Sequence, residues 1–233
     1  MNDYYDLGSY SRTISTSSPE AQLWFDRGLT WTYGFHHEEA IECFNKALEY
    51  DPDCVMSHWG IAYASGPNYN KKWIDFEDEE KQACLDAANG LVRSAKDRLD
   101  KAEAIECGLI EALTERYPDD AGTEDFGPWN DAFANAMRKV YQAHPEDLDV
   151  CTLFAESMMN RTPWELWDLP TGKPAEGADT QEAIEVLETA FEKLADKGSK
   201  RHPGLLHMYL HLMEMSPHPE KALSAGDALI DLV

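Results

Sequence analysis

Apolar and polar residues follow a helical spacing along most of the chain, beginning after residue 18. Ser18 followed by Pro19 is typical of a helix start, because serine caps free backbone N–H groups and proline fits the first helical position. Apolar residues then recur with helical spacing at Leu23, Trp24, Gly28, Leu29 and Trp31. A second helix is predicted from about His37 to Tyr50, where the Asp51-Pro52 pair would end it. The two segments predict an antiparallel helix hairpin.

This hairpin resembles a tetratricopeptide repeat (TPR), a unit of two antiparallel helices in about 34 residues. The matching positions are Trp24, Gly28, Ala40, Phe44, Ala47 and Pro52. Arg27 and Trp31 depart from the pattern, where Leu and Tyr are usual. We expect the small residues to let the helices approach closely, and Trp24 and Phe44 to fill the seam between them.

Further helical patterns follow, interrupted by two irregular insertions. Helices are predicted over about 55–65, 79–94, 99–117, 129–143, 146–160, 180–195, 203–215 and 220–233. The insertions span about 66–78 and 161–179, and an acidic linker at about 118–127 separates the central helices. The sequence therefore predicts an N-terminal extension over 1–18 and a single all-α domain over 19–233. That domain would be a TPR-like α-solenoid of antiparallel helix pairs.

The last predicted hairpin repeats the register of the first. The turn 216–222 aligns residue for residue with 34–40, which places the helix-ending proline one position beyond residue 233. We therefore expect either a fragment of a longer protein or an array without a capping repeat. An uncapped apolar end would favour self-association.

Beyond the repeat, the chain resembles an uncharacterised family of bacterial and fungal TPR proteins. The segments that carry this resemblance are Ala21–Gln22, Trp24–Leu29, Trp59–Ala64, Gly66–Asn70, Pro163–Asp168 and His207–Glu214. The resemblance implies the solenoid fold, and it implies that longer members continue with further helices and another His-rich segment. This chain would then be a C-terminally truncated member. No agreed activity accompanies the family.

The charge of the chain narrows the class of partner. Its 20 Lys and Arg against 44 Asp and Glu give a net charge of −24, which argues against nucleic acid and against anionic membranes. A basic protein or peptide partner is favoured. The 5 cysteines form no C-x-x-C pair, and the sequence has neither a signal-like start nor a long apolar run. We therefore expect a cytoplasmic protein.

One helical segment near the end carries candidate metal ligands. His207, His211 and Glu214 are spaced i, i+4 and i+7, so they share a helix face and could hold Zn or Fe. Counting back from the last turn places them at the concave positions of a repeat. The alternative is that both His side chains are ordinary hydrogen-bonding residues between helices.

The predicted concave groove would be acidic and aromatic. Its candidate lining residues are Phe25, Trp59, Tyr63, Asn68, Asn70, Trp73, Glu156, Trp164 and Trp167. The inserted tryptophans would either close over the groove or plug the gaps left by each delayed helix. Two functions stay open: a scaffold that binds a peptide or partner protein in this groove, and a metal-dependent enzyme or small-molecule binder using His207, His211 and Glu214.

Overall fold

The computed structural model describes residues 4–117, 125–196, 198, 201–230 and 232. These residues form ten α-helices: α1 Pro19–Tyr33, α2 His37–Tyr50, α3 Val55–Ser65, α4 Asp78–Lys96, α5 Ala104–Arg116, α6 Gly127–Ala143, α7 Leu148–Met159, α8 Thr180–Asp196, α9 Pro203–Met213 and α10 Leu223–Ile230. Two short strands, β1 Trp167–Asp168 and β2 Lys173–Pro174, pair antiparallel within the second insertion. The prediction of an all-α helical repeat fold is confirmed.

The predicted helix boundaries fail mainly where a tighter turn intervenes. The segment predicted as one helix over 99–117 contains a 3-10 turn at Leu99–Lys101, and α5 begins only after the Glu103 cap. The last predicted helix likewise opens with a 3-10 turn at Pro219–Ala222 before α10 begins. Most of the predicted linker at 118–127 lies outside the described residues.

Successive helices pack as antiparallel hairpins, from α1 with α2 to α9 with α10, and each hairpin contacts the next. In addition, α1 contacts α9, so the first and last hairpins of the array meet. Side chains from facing helices also meet inside it: the Tyr63 hydroxyl on α3 donates to Oε2 of Glu156 on α7 at 2.5 Å. The inner faces of these helices therefore cover one another.

Phe44 on α2 fills the seam of the first hairpin. An added Cβ would lie 2.6 Å from its ring at Gly28 on α1 and 2.7 Å from it at Gly60 on α3. Contacts that close need glycine, because any side chain would displace the ring. The fully buried Phe44 therefore locks the first hairpin to the second.

The second aromatic residue of this seam is Phe25, and the prediction for Trp24 is wrong. The rings of Phe25 and Phe44 lie 5.4 Å apart between centroids. Neighbouring residues on a helix point about 100° apart, so Trp24 faces outward. There it contacts Tyr4 of the N-terminal extension and Arg27.

The N-terminal extension packs against the first hairpin and against the start of α7. The Tyr4 hydroxyl donates to Oε1 of Glu39 on α2 at 2.7 Å, and Arg12 forms an ion pair with Asp147 at the start of α7. This segment therefore joins the first hairpin to the second half of the chain. In the part of the chain that the structure describes, none of the helices combines the length and apolar character needed to cross a membrane.

Candidate functional site

A groove of about 790 Å³ opens between α9 and α10. Its walls are mainly apolar and include Leu210 on α9 together with Leu223 and Ile230 on α10. Leu223 is 66% exposed and Ile230 is 75% exposed, which is unusual for such large apolar side chains. Glu214 and Asp227 add carboxylates to the lining. The groove thus combines an apolar surface with negative charge.

In the seam beneath this groove, the large residue and the small residue lie on the opposite helices from those in the first hairpin. In the common register, Leu210 and Gly226 are the counterparts of Gly28 and Phe44, and a Cβ at Gly226 would lie 3.5 Å from Leu210 Cδ2. The two counterparts therefore face each other, with the large residue on the first helix and glycine on the second. Because α10 has no aromatic residue, no side chain as large as Phe44 projects from the second helix of this hairpin.

His207 and His211 lie side by side on the α9 wall of the groove, with Glu214 after them. The two rings are 4.6 Å apart between centroids. His211 Nδ1 lies 2.9 Å from Glu214 Oε1, and His207 Nδ1 lies 2.5 Å from the carbonyl oxygen of Tyr33 at the end of α1. The predicted shared face therefore exists, and each Nδ1 already has a protein partner.

This arrangement gives no support to the predicted Zn or Fe site. Among the described residues, no three His, Cys, Asp or Glu side chains are placed to hold a metal ion. A carbonyl oxygen only accepts, so His207 Nδ1 must carry the ring proton and donate it to Tyr33. Burial lowers the pKa of His207, which keeps the ring neutral. The geometry instead agrees with the alternative, in which both His side chains are ordinary hydrogen-bonding residues.

The two insertions meet each other at His211. Tyr69 of the first insertion stacks on Trp164 of the second, with ring centroids 5.3 Å apart, and lies 5.0 Å from the His211 ring. Phe35 stacks on His211 at 5.5 Å. Both Phe35 and Trp164 have positive φ, 57° and 65°, a conformation uncommon for residues other than glycine. Special backbone geometry on two separate turns therefore directs aromatic rings to this histidine.

Most of the other predicted groove residues form core instead of an open surface. Phe25, Trp59, Tyr63, Asn68, Trp73 and Glu156 are each at most 7% exposed. For Tyr63 and Glu156, the reason is that α3 and α7 cover each other's inner faces. Asn70 is exposed, and Trp167 is half-buried, with its Nε1 donating to the Leu212 carbonyl at 2.7 Å. Trp73 stacks on Phe126, with ring centroids 5.6 Å apart, as expected of a plug before α4.

The sequence analysis missed a buried charged cluster around Asp149 on α7. Arg12 donates to Asp149 Oδ2 at 2.9 Å, the Tyr33 hydroxyl donates to Oδ1 at 2.5 Å, and His202 Nε2 lies 3.3 Å from the same oxygen. The Tyr10 hydroxyl also donates to this carboxylate. Burial alone would raise the pKa of Asp149, but the charges of His202 and Arg12 and these hydrogen bonds lower it well below its usual range.

Glu156, seven residues further along α7, shows the opposite shift. Burial raises the pKa of Glu156, although the Tyr63 hydroxyl and the charge of Arg116 act against it. The sequence did hold a signal for both residues, because two carboxylates seven residues apart share one face of the mostly apolar segment LDVCTLFAESMM. Their partners could not be found this way, since those partners come from distant segments.

Comparison with known proteins supports the repeat. Residues 21–54, which comprise α1, α2 and the connection to α3, match the tetratricopeptide repeat family. A search of curated proteins gave no match to the chain. The other described hairpins follow this one along the chain, and each contacts the next. Residues 21–54 are therefore identified as a tetratricopeptide repeat within an all-α helical array.

Proposed function

We propose that this protein is an interaction module that holds a basic, partly apolar segment of a partner protein in the groove between α9 and α10. The observation that carries the proposal is the tetratricopeptide repeat at 21–54, because stacked helix pairs present extended surfaces to partners. The groove is lined by the polar residues at the concave register positions of the last hairpin, of which Glu214 is exposed and His207 and His211 are partly buried.

The shape of the groove favours a helical segment. In earlier hairpins, a following helix packs against the second helix of the pair: α3 against α2, and α9 against α8. On α10, the exposed side chains of Leu223 and Ile230 offer a partner's helix an apolar surface of the same kind. An amphipathic helix laid with its apolar face in such a groove is a recurrent mode of recognition.

The charge of the groove favours lysine and arginine on that segment. Glu214 on the α9 side of the groove is 39% exposed at its side chain, and Asp227 on the α10 side is also exposed. The chain carries −24 overall, so the long-range field also attracts basic partners. Because these carboxylates are in contact with solvent, we expect the affinity to fall as salt rises.

The test uses two fluorescent peptides of about 18 residues, long enough for stable amphipathic helices. Both carry the same leucine stripe; one has lysine and the other glutamate on its polar face. By fluorescence anisotropy at low salt, we expect the lysine peptide to bind about tenfold tighter or more, and this preference to narrow at high salt.

Matched variants locate the binding surface. The double charge reversal Glu214→Lys and Asp227→Lys should weaken the lysine peptide about tenfold, whereas Glu79→Lys should have little effect. Glu79 is an equally exposed carboxylate on α4, a helix that contacts α3 and α5. Equal losses from both variants would show non-specific attraction to an acidic surface and would contradict the proposal.

A second copy of the chain could compete for the same apolar surface. Sedimentation of the unliganded protein, compared with that of the Ile230→Asp variant, distinguishes a partner segment from a second copy of the chain as the occupant of the groove. We expect a monomer in both cases. A dimer that the substitution dissociates would assign the groove to self-association and would contradict binding of a foreign segment.

A further inference from the structure

A second cavity, of about 300 Å³, shares His207 and Leu229 with the α9–α10 groove. It is lined by four parts of the chain: Leu7 of the N-terminal extension, Trp31 near the end of α1, Pro203 at the start of α9, and Leu229 of α10 together with Leu232. These walls are mainly apolar. Segments far apart in sequence thus build one small hydrophobic chamber.

The polar atoms of the aromatic side chains that line the cavity form hydrogen bonds with other residues of the protein. Tyr10 and Tyr33 both direct their hydroxyls to the buried Asp149, and Trp31 Nε1 donates to the Tyr4 hydroxyl at 2.8 Å. The aromatic side chains lining the cavity are therefore fixed in place by hydrogen bonds. A ligand would meet preorganised walls, which reduces the entropy lost on binding.

The covering segment is also held in place. Gly8 has φ +73°, and a Cβ there would lie 2.3 Å from the carbonyl oxygen of Leu232. Only glycine combines that conformation with so close an approach. The extension thus lies directly against the end of the described chain, and the cavity beneath it is a built feature of the fold.

His207 contributes an imidazole ring to this mainly apolar lining. Its Nδ1 donates to the Tyr33 carbonyl, which would otherwise be one of the unpaired acceptors at the end of α1. In the neutral ring, the other nitrogen, Nε2, must then be an acceptor. Burial lowers the pKa of His207, which favours this neutral form.

We propose that this cavity binds a small, mostly apolar aromatic molecule of one or two fused rings that donates one hydrogen bond to Nε2 of His207. The volume sets the size, because an engineered apolar cavity of about 150 Å³ holds benzene, and twice that volume suits indole or naphthol. Because Nε2 of His207 accepts a hydrogen bond, the ligand needs an N–H or O–H group. The proposal does not depend on partner binding in the adjacent groove, although the two sites share His207 and Leu229.

The test compares 2-naphthol with 2-methoxynaphthalene by isothermal titration calorimetry. The two share the ring system, but only naphthol can donate. We expect naphthol to bind wild-type protein about fivefold tighter, the effect of one neutral hydrogen bond. His207→Phe should abolish that preference, whereas His218→Phe, at a histidine 62% exposed at its side chain, should preserve it.

A filling substitution tests the location. Leu7→Trp should weaken both ligands by tenfold or more, with an unchanged helical circular dichroism spectrum as the control for folding. Equal affinities of the two ligands for wild-type protein, or full binding to the folded Leu7→Trp variant, would overturn the proposal. Binding of the peptide Gly-Trp-Gly without binding of naphthol would also overturn it, in favour of a pocket for a partner's side chain.

The groove variants separate this site from the proposed function. Glu214→Lys with Asp227→Lys should leave naphthol affinity within about twofold, because neither carboxylate lines the cavity. Loss of naphthol binding in that double variant would count against the assignment to this cavity. Peptide binding can therefore fail while ligand binding succeeds, and the reverse also holds.

Discussion

The first and last hairpins share one register but differ in what their seams do. In α1–α2, Phe44 stands between Gly28 and Gly60 and locks the hairpin to its neighbour. In α9–α10, the corresponding pair is Leu210 and Gly226, and the groove above it is open. The position of the large residue, on the second helix or on the first, therefore distinguishes a scaffold hairpin from one that presents a surface.

The inner faces of the two hairpins also differ in burial. Phe25, Leu29 and Thr32 on α1 are buried, whereas their counterparts His207, His211 and Glu214 are only partly covered. Polar side chains thus occupy the partly exposed inner face of the last hairpin, where the first hairpin carries buried and mainly apolar residues. Departures from the repeat pattern coincide with this exposed face.

The largest expected effect is on the scaffold seam. Phe44→Ala should lower the free energy of unfolding by about 3–5 kcal/mol, because it removes a fully buried ring between two glycines that cannot refill the space. Urea denaturation followed by circular dichroism measures the loss. A loss below about 1 kcal/mol would contradict the scaffold role of this hairpin.

Next in size is the charged cluster that connects the N-terminal extension to α7. Arg12→Ala should cost about 3 kcal/mol, because it leaves Asp149 buried without its cation. The folded pKa of Asp149 is lowered, so the stabilisation is present above its unfolded pKa near 4 and is lost as pH falls.

The difference in unfolding free energy between wild type and Arg12→Ala should therefore shrink in acid. Lys46→Ala, which removes an exposed ion pair with Glu49, serves as the control and should leave stability unchanged, because solvent screens an exposed ion pair. A constant difference across the acid range would show that Asp149 is not the group that Arg12 stabilises.

A smaller effect, of opposite sign, is expected at Glu156. Its folded pKa is raised by burial, so its protonated form is favoured in the folded state, and wild-type stability falls as pH rises above about 4.5. Glu156→Gln should therefore increase stability at neutral pH by about 1 kcal/mol, with no gain near pH 4. Equal stability of the two proteins at every pH would contradict this assignment.

The smallest expected change is in the seam of the last hairpin. Leu210→Ala should lower the free energy of unfolding by about 1 kcal/mol, because this side chain is only partly buried against Gly226. The measurement is the same urea titration used for Phe44→Ala. A loss as large as that of Phe44→Ala would remove the contrast between the two hairpins.

Local signals in the sequence predicted much of the fold. The bounds of α2 and α3 match the predicted segments, because Asp51-Pro52 and Gly66-Pro67 end helices through backbone chemistry that acts within a few residues. The i, i+4, i+7 spacing likewise placed His207, His211 and Glu214 on one face.

Contacts between distant segments could not be predicted in this way. Asp149 meets Arg12 and Tyr33 only because α1 returns to α9 and the extension crosses to α7. The choice between an open groove and a filled core at Trp59 and Glu156 depends on the same closure. Helical periodicity identifies which face of a helix is apolar, but not which helix will cover it.

Hydrogen–deuterium exchange of the protein saturated with the lysine peptide tests the central claim most directly. The account predicts slower exchange in α9 and α10, at residues 203–230, with unchanged exchange in α1 and α2. Protection confined to α2 and α4, with α9 and α10 unaffected, would contradict it.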